Sequence, residues 1–119
     1  MILTPDALKL DLPRTESRIK RFIKDYVQKS KAKGAVVGLS GGIDSSTTAA
    51  LASLALGGDK VLALSMPEKE TYNPLDIKHA RMVAEKFGFN IETMDITPVL
   101  QAYYNSLPLY DEKDIISKG

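Results

Sequence analysis

A short run of glycines and hydroxyl side chains carries the clearest chemical signal in this sequence. It consists of Gly38, Leu39, Ser40, Gly41, Gly42, Ile43, Asp44, Ser45 and Ser46. Adjacent glycines let the backbone approach an anion without a Cβ in the way, and serine hydroxyls can donate to phosphate oxygens. A helix that starts directly after such a loop adds free N–H groups and the positive end of its dipole. The run therefore predicts a loop that binds phosphate groups.

Two common kinds of nucleotide loop do not match these residues. A Walker A loop ends in Gly-Lys-Ser/Thr, but no lysine lies between Gly34 and Asp59. A dinucleotide fingerprint requires Gly-x-Gly-x-x-Gly, whereas Gly38 is followed by Gly41 and Gly42 with no third glycine in register. Kinase, GTPase and hydride-transfer chemistry are therefore disfavoured.

Asp44 is the one carboxylate in the loop, and two roles are open to it. A carboxylate beside a polyphosphate is repelled unless a cation lies between them, which predicts a Mg²⁺ ligand. The alternative is an N-cap, in which the side chain accepts a hydrogen bond from a backbone N–H of the following helix. The residue pattern alone leaves both roles possible.

The flanking residues predict strands that alternate with helices. Apolar runs at 35–39, 60–65 and 91–96 predict strands, while helical spacing at 15–31, 45–56 and 76–87 predicts helices, and Thr97-Pro98 predicts the N-cap and first residue of another. This order favours an α/β fold, a Rossmann-like open parallel sheet with helices on both faces. The phosphate loop then follows the first strand. Polar residues 66–74 follow the second strand, at the sheet edge where ligands collect.

Composition and charge limit the class of protein. The chain has 119 residues, a formal net charge of +1 and no cysteine. We expect a single domain over residues 1–119, with a helical segment at 1–34 and a βαβαβα core at 35–119. The small net charge disfavours a nucleic-acid partner, and no apolar run reaches the roughly 18–20 residues of a membrane span. With no leader pattern after Met1, we expect a cytoplasmic protein.

The motifs resemble a known enzyme family. Ser-Gly-Gly-Ile-Asp-Ser-Ser resembles the signature of the ATP pyrophosphatases, or PP-loop enzymes, which split ATP between its α and β phosphates. Three further features resemble ammonia-dependent NAD synthetase within that superfamily. These are the run Ala63-Leu64-Ser65-Met66-Pro67, the spacing of Asp76, Ala80, Ala84 and Gly88, and the amphipathic helix near the N-terminus.

The resemblance implies a reaction and a set of roles. ATP would adenylate the nicotinate carboxylate of deamido-NAD, and ammonia would then displace AMP to give NAD. Residues 38–46 would bind the ATP phosphates, Asp44 would hold Mg²⁺, and the backbone of Leu64, Ser65 and Met66 would receive the adenine. No catalytic side chain is assigned. The fold implied is that of the adenine nucleotide alpha hydrolases, and the full-length protein is expected to be a homodimer.

NAD synthetases of this type are longer than this chain. We therefore expect residues 1–119 to be an amino-terminal portion whose fold is incomplete at its C-terminal end and which lacks part of the deamido-NAD site, so that it is catalytically incomplete alone. Two rival functions stay open from the sequence. One is another PP-loop enzyme, either the ATPase part of an amidotransferase or a tRNA-modifying enzyme; the other is a non-catalytic nucleotide-binding module.

Overall fold

The computed structural model describes residues 4–107. Parts of the expected domain at residues 1–3 and 108–119 lie outside this range. The elements in chain order are α1 (Leu12–Lys29), β1 (Ala35–Gly38), α2 (Ile43–Leu56), β2 (Val61–Ser65), α3 (Pro74–Phe87), β3 (Asn90–Thr93) and α4 (Thr97–Asn105), with short 3-10 turns at Pro5–Leu8 and Gly58–Lys60.

The strands form one parallel sheet in the order β1-β2-β3. Val37 pairs with Ala63, and Ala63 pairs in turn with Ile91. The predicted parallel α/β sheet is therefore confirmed. Because parallel strands end at the same edge, the segments after Gly38, Ser65 and Thr93 lie side by side.

The predicted bounds of α1 and β3 differ from the observed ones. Helix α1 starts at Leu12 because the Asp11 carboxylate accepts a hydrogen bond from the Arg14 amide at 3.2 Å, and it ends before Lys31, whose φ is +57°. Strand β3 ends at Thr93 rather than at residue 96. Beyond the end of β3 the chain stays beside the chain that leaves β2, since Met94 N–H donates to the Ser65 carbonyl and Ile96 N–H to the Pro67 carbonyl.

The core is built from small side chains on one face of the sheet. Ala49 and Ala52 of α2, with Ala80 and Ala84 of α3, pack with Val61 and Ala63 of β2. Alanine lets helix and strand backbones approach closely, so α2 and α3 pack directly on the sheet. Val36 lies on the opposite face, where α2 and α3 contribute no cover, and it is 66% exposed. Helix α1 packs on α2.

Across residues 4–107, no helix combines the length and the apolar character needed to cross a membrane.

Candidate functional site

The glycine-rich loop has a shape that one of its glycines makes possible. Gly41 has φ +89°, and a Cβ placed there would lie 2.5 Å from the Asp76 carbonyl oxygen and 2.7 Å from its Cα. Both the backbone conformation and the close approach of α3 therefore require glycine at this position. Gly38 differs, since a Cβ there would lie 3.7 Å from Met66 Cε, an ordinary contact.

Two serine side chains hold the loop together. The Ser40 and Ser45 hydroxyls lie 3.0 Å apart, and Ser45 Oγ also accepts from the Ser40 amide at 3.1 Å. Ser40 Oγ accepts from the Gly42 amide at 3.2 Å. The predicted phosphate donors thus differ in their availability. Ser45 mainly stabilises the loop, and the Gly42 N–H already has a partner in this conformation.

The start of α2 supplies the donors that an anion can use. The first helical hydrogen bond runs from Ser46 N–H to the Gly42 carbonyl at 3.2 Å. The amides of Ile43, Asp44 and Ser45 precede that bond, so they point out of the helix end toward the loop. Together with the helix dipole, these free N–H groups make this helix end suitable for an anion, which is the role that the sequence pattern predicts.

The structure separates the two roles considered for Asp44. The N-cap of α2 is Gly42, which makes no side-chain cap hydrogen bond, and Asp44 lies inside the first helical turn. The cap interpretation of Asp44 is therefore wrong. Its carboxylate is exposed at the N-terminal end of the helix, beside the glycine-rich loop. An anionic side chain there is favoured by the helix dipole, and it is free to bind a cation.

A cavity of about 280 Å³ opens beside the loop. One wall comes from Leu39 and Ser40 after β1, and another from Ser65 and Met66 at the end of β2. Four residues predicted from separate parts of the sequence are therefore brought to one cavity. Its remaining lining is Pro67, Glu68, Thr71, Tyr72, Asn73, Asp76, Ile77 and Ile96.

Leu64 occupies a different position from its predicted neighbours. Its carbonyl accepts from the Leu39 amide at 2.8 Å, and the Ser65 carbonyl accepts from the Met94 amide at 2.8 Å. Both carbonyls therefore maintain the sheet edge. Leu64 is not among the residues that line the cavity, whereas Ser65 and Met66 are.

Sequence reasoning identified residues 66–74 as a loop at the ligand edge but did not single out its members. Glu68 Oε2 accepts from both the amide and the hydroxyl of Thr71, at 3.1 and 3.0 Å. Asn73 Oδ1 accepts from the Leu75 amide at 3.0 Å and caps α3. The Asn-Pro pair at this helix start was the available signal. No sequence signal indicated the contact of Asp76 with Gly41, because it joins distant parts of the chain.

The junction between β3 and α4 is hydrogen-bonded to the loop formed by residues 66–74. We predicted Thr97 as the N-cap of α4, but the helix already includes Thr97, whose N–H donates to Asp95 Oδ1 at 2.9 Å. The Thr97 hydroxyl accepts from the Lys69 amide at 2.9 Å. Hydrogen bonds from the Thr97 side chain and backbone, with attraction to Lys69, hold the pKa of Asp95 below its usual range.

The acidic residues fit a magnesium ion only in a particular way. Within residues 4–107, no three His, Cys, Asp or Glu side chains come together as a metal-binding group. Mg²⁺ bound to a nucleotide commonly takes one or two protein carboxylates, with phosphate oxygens and water completing its shell. The single exposed carboxylate of Asp44 at the start of α2 fits a Mg²⁺ ion that is bound mainly by the nucleotide.

A larger groove of about 570 Å³ lies between α1, α2 and α3. Its lining is mainly apolar, with Leu12, Ile19, Leu51 and Val83 among its side chains. Its lining includes none of residues 38–45 of the glycine-rich loop, so the smaller cavity beside that loop is the candidate site.

Comparisons with known proteins give matches over most of the chain. A family model described as NAD synthase matches residues 15–119. The ammonia-dependent NAD(+) synthetase of Methanocaldococcus jannaschii is 55% identical over 87 residues, which are 73% of this chain and 33% of the relative. The solved NH3-dependent NAD synthetase of Campylobacter jejuni is 27% identical with TM-score 0.78, covering 89% of this chain and 45% of that one.

A second solved structure matches this chain with the same TM-score. The NMN synthetase of Francisella tularensis is 26% identical with TM-score 0.78, covering 91% of this chain and 44% of that one. This chain spans less than half the length of the curated relatives it matches.

Proposed function

The chain belongs to the NAD synthase family, and from that premise we propose that it supplies the ATP site of an enzyme of NAD biosynthesis. The enzyme is a ligase that uses ATP to convert deamido-NAD and ammonia to NAD. The nicotinate carboxylate attacks the α-phosphorus of ATP and pyrophosphate leaves. Ammonia then attacks the activated acyl carbon, AMP leaves, and the nitrogen loses a proton.

The observation that carries the proposal is the meeting of two kinds of surface at one sheet edge. The amides of Ile43, Asp44 and Ser45 form an anion-binding end directly beside a cavity lined by Ser65 and Met66. A nucleoside triphosphate needs both parts. Its phosphates would lie on the loop and the start of α2, and its adenine would lie in the cavity.

Asp44 completes the phosphate side of the site. Its exposed carboxylate would hold Mg²⁺ against the phosphate oxygens, and the ion would neutralise charge as pyrophosphate leaves. Ser40 and Ser45 keep the loop in the conformation that turns the α2 amides toward the same oxygens. The contribution of these residues is positioning and charge stabilisation, which suits attack by a nucleophile as simple as ammonia.

The acceptor is assigned from relatives rather than from residues in the cavity. The fold resembles an NMN synthetase as closely as an NAD synthetase, so the fold does not choose between mononucleotide and dinucleotide acceptors. The curated relative with 55% identity is an ammonia-dependent NAD(+) synthetase, which favours deamido-NAD. The family match disfavours a tRNA-modifying enzyme and a purely regulatory nucleotide module. A cytoplasmic homodimer completes the proposal.

Calorimetric titration with ATP, in magnesium and then in EDTA, tests the site directly. Magnesium should strengthen ATP binding to the wild-type chain. In Asp44→Asn, the affinity for ATP in magnesium should fall about 10- to 100-fold, so that most of the difference between magnesium and EDTA is lost. The variant should still fold, because the Asp44 side chain caps nothing and its loss removes only the favourable interaction of the carboxylate with the helix dipole. Asp59→Asn is the matched control, since Asp59 lies in the short 3-10 turn before β2, at the opposite sheet edge.

The outcomes separate the parts of the proposal. An unchanged magnesium effect in Asp44→Asn would refute the ligand role while leaving the ATP site intact. Absence of ATP binding by wild type would refute the ATP site. Because the chain is expected to be catalytically incomplete alone, titration with deamido-NAD and with nicotinate mononucleotide in the presence of Mg·ATP tests the acceptor by binding, and tighter binding of nicotinate mononucleotide would refute the assignment to deamido-NAD.

A further inference from the structure

The loop after β2 forms a wall of the cavity and is attached to the β3–α4 junction. We call residues 66–73 the base-side wall, because Met66, Glu68, Thr71 and Tyr72 from this segment line the cavity. Its beginning is held by backbone hydrogen bonds. Met94 N–H donates to the Ser65 carbonyl at 2.8 Å, and Ile96 N–H donates to the Pro67 carbonyl at 3.1 Å.

The next part of the wall is held by a side chain. Glu68 to Thr71 form a turn, in which the Thr71 amide donates to the Glu68 carbonyl at 3.2 Å. The Lys69 amide points away from that turn and donates to Thr97 Oγ1 at 2.9 Å. Thr97 is 9% exposed and does not line the cavity. It can therefore influence a ligand only through the wall that it supports.

Thr97 is itself fixed in orientation. Its amide donates to the Asp95 carboxylate at 2.9 Å, which places the hydroxyl at the start of α4 beneath the turn. A valine at this position would have nearly the same shape but could not accept the Lys69 N–H. That amide would then lack its partner, and the turn would be free to leave its position.

We propose that Thr97 is a positioning residue that holds the base-side wall of the ATP site through the Lys69 amide. The inference rests on the proposed function for the identity of the ligand. Its consequence is selective. Loss of the Thr97 acceptor lowers the fraction of molecules with the wall in place, and the apparent affinity for ATP falls by that fraction. Pyrophosphate, which needs only the glycine loop and the start of α2, is unaffected.

Calorimetric titration of Thr97→Val with Mg·ATP and with Mg·pyrophosphate tests this selectivity. Loss of one hydrogen bond predicts ATP binding weakened about fivefold, with pyrophosphate binding unchanged. Thr97→Ser keeps the hydroxyl and should restore ATP binding. Thr15→Val removes a threonine hydroxyl from α1, away from the wall, and should bind both ligands as wild type does.

Two substitutions at Lys69 test the same hydrogen bond from the donor side, and they decide the matter if Thr97→Val fails to fold. Lys69→Pro and Lys69→Ala both remove the ammonium group, but only proline removes the N–H. Position 69 is the second residue of the 68–71 turn, where proline is favoured. Lys69→Pro should therefore weaken ATP binding relative to Lys69→Ala, again without an effect on pyrophosphate.

Hydrogen exchange separates failure of this inference from failure of the proposed function. The Lys69 amide should exchange slowly in wild type and in Thr97→Ser, and faster in Thr97→Val. Equal exchange and equal ATP affinity in Thr97→Val and wild type would overturn the inference, as would equal weakening of ATP and pyrophosphate. Slow exchange in a wild-type chain that binds no ATP would confirm the hydrogen bond between the Lys69 amide and Thr97 while refuting its role in an ATP site.

Discussion

Replacing Gly41 by alanine tests how the phosphate loop is held against α3. Gly88 and Gly38 allow the two contributions to the expected loss of stability, backbone strain and steric overlap, to be measured separately. A Cβ at Gly88 meets no atom within 4 Å, but the backbone there has φ +72°; a Cβ at Gly38 makes an ordinary contact at 3.7 Å, and its φ is not positive. Gly41 combines a positive φ with an approach of 2.5 Å to the Asp76 carbonyl oxygen. The series therefore separates backbone strain from steric overlap.

The magnitudes follow from those geometries. Alanine at Gly88 carries a left-handed penalty of about 1–2 kcal/mol. At Gly41 the same penalty is joined by about 1–3 kcal/mol for displacing packed atoms, because the atoms in the way are backbone and cannot rotate aside. We expect a total loss of about 2–5 kcal/mol in the free energy of unfolding for Gly41→Ala. Gly38→Ala should be neutral, or more stable by up to about 1 kcal/mol.

Urea unfolding followed by circular dichroism gives the three free energies directly. The expected order of destabilisation is Gly41→Ala, then Gly88→Ala, then Gly38→Ala. If Gly41→Ala costs no more than Gly88→Ala, then Asp76 does not hold the loop and the packing argument is refuted. Where the Gly41 variant stays folded, titration with Mg·pyrophosphate should also show weaker binding than in Gly88→Ala, since Gly41 lies in the phosphate loop whereas Gly88 ends α3.

Two further predictions concern side chains around the site. Ser45→Ala should lower the free energy of unfolding by about 1 kcal/mol, because Ser45 Oγ bridges the Ser40 amide and hydroxyl; urea unfolding against Ser17→Ala, an exposed serine of α1, checks this, and equal values would contradict it. The lowered pKa of Asp95 means that its stabilising contribution is complete above the unfolded-state pKa and is lost as the pH falls through the folded-state value. Asp95→Asn does not titrate, so wild type should lose stability relative to it below about pH 4, and parallel pH profiles in thermal unfolding would contradict this.

The sequence predicted the elements well because their signals are local. Apolar runs predicted each strand, and Gly88, with a left-handed backbone, ends α3 where a glycine after helical spacing predicts an end. The roles within the loop were harder to assign. Ser40 and Ser45 look equivalent as phosphate donors in the sequence, but in the folded chain their hydroxyls are hydrogen-bonded to one another. Asp44 was compatible with a cap because helix starts are uncertain by a residue or two.

Tertiary contacts were beyond the reach of these patterns. Asp76 meets Gly41, and Thr97 meets Lys69, although neither pair is close in sequence. Thr97 in particular matched a local helix signal, Thr-Pro, well enough to conceal its long-range partner. Its hydroxyl does not cap its own helix and instead supports a loop that begins after a different strand. A local pattern can thus identify a special residue and still assign it the wrong partner.

The two sides of the candidate ATP site are joined by the segment between β2 and α3. This segment is attached at its start to the chain after β3, in the middle to Thr97, and at its end to the phosphate loop, where Asp76 meets Gly41. The attachment to Thr97 and the contact with the phosphate loop lie at different points of the segment, at Lys69 and Asp76, so the base-side wall can shift while the phosphate loop stays in place. Every one of these attachments lies within residues 4–107. We therefore expect ATP binding to be measurable separately from acceptor binding.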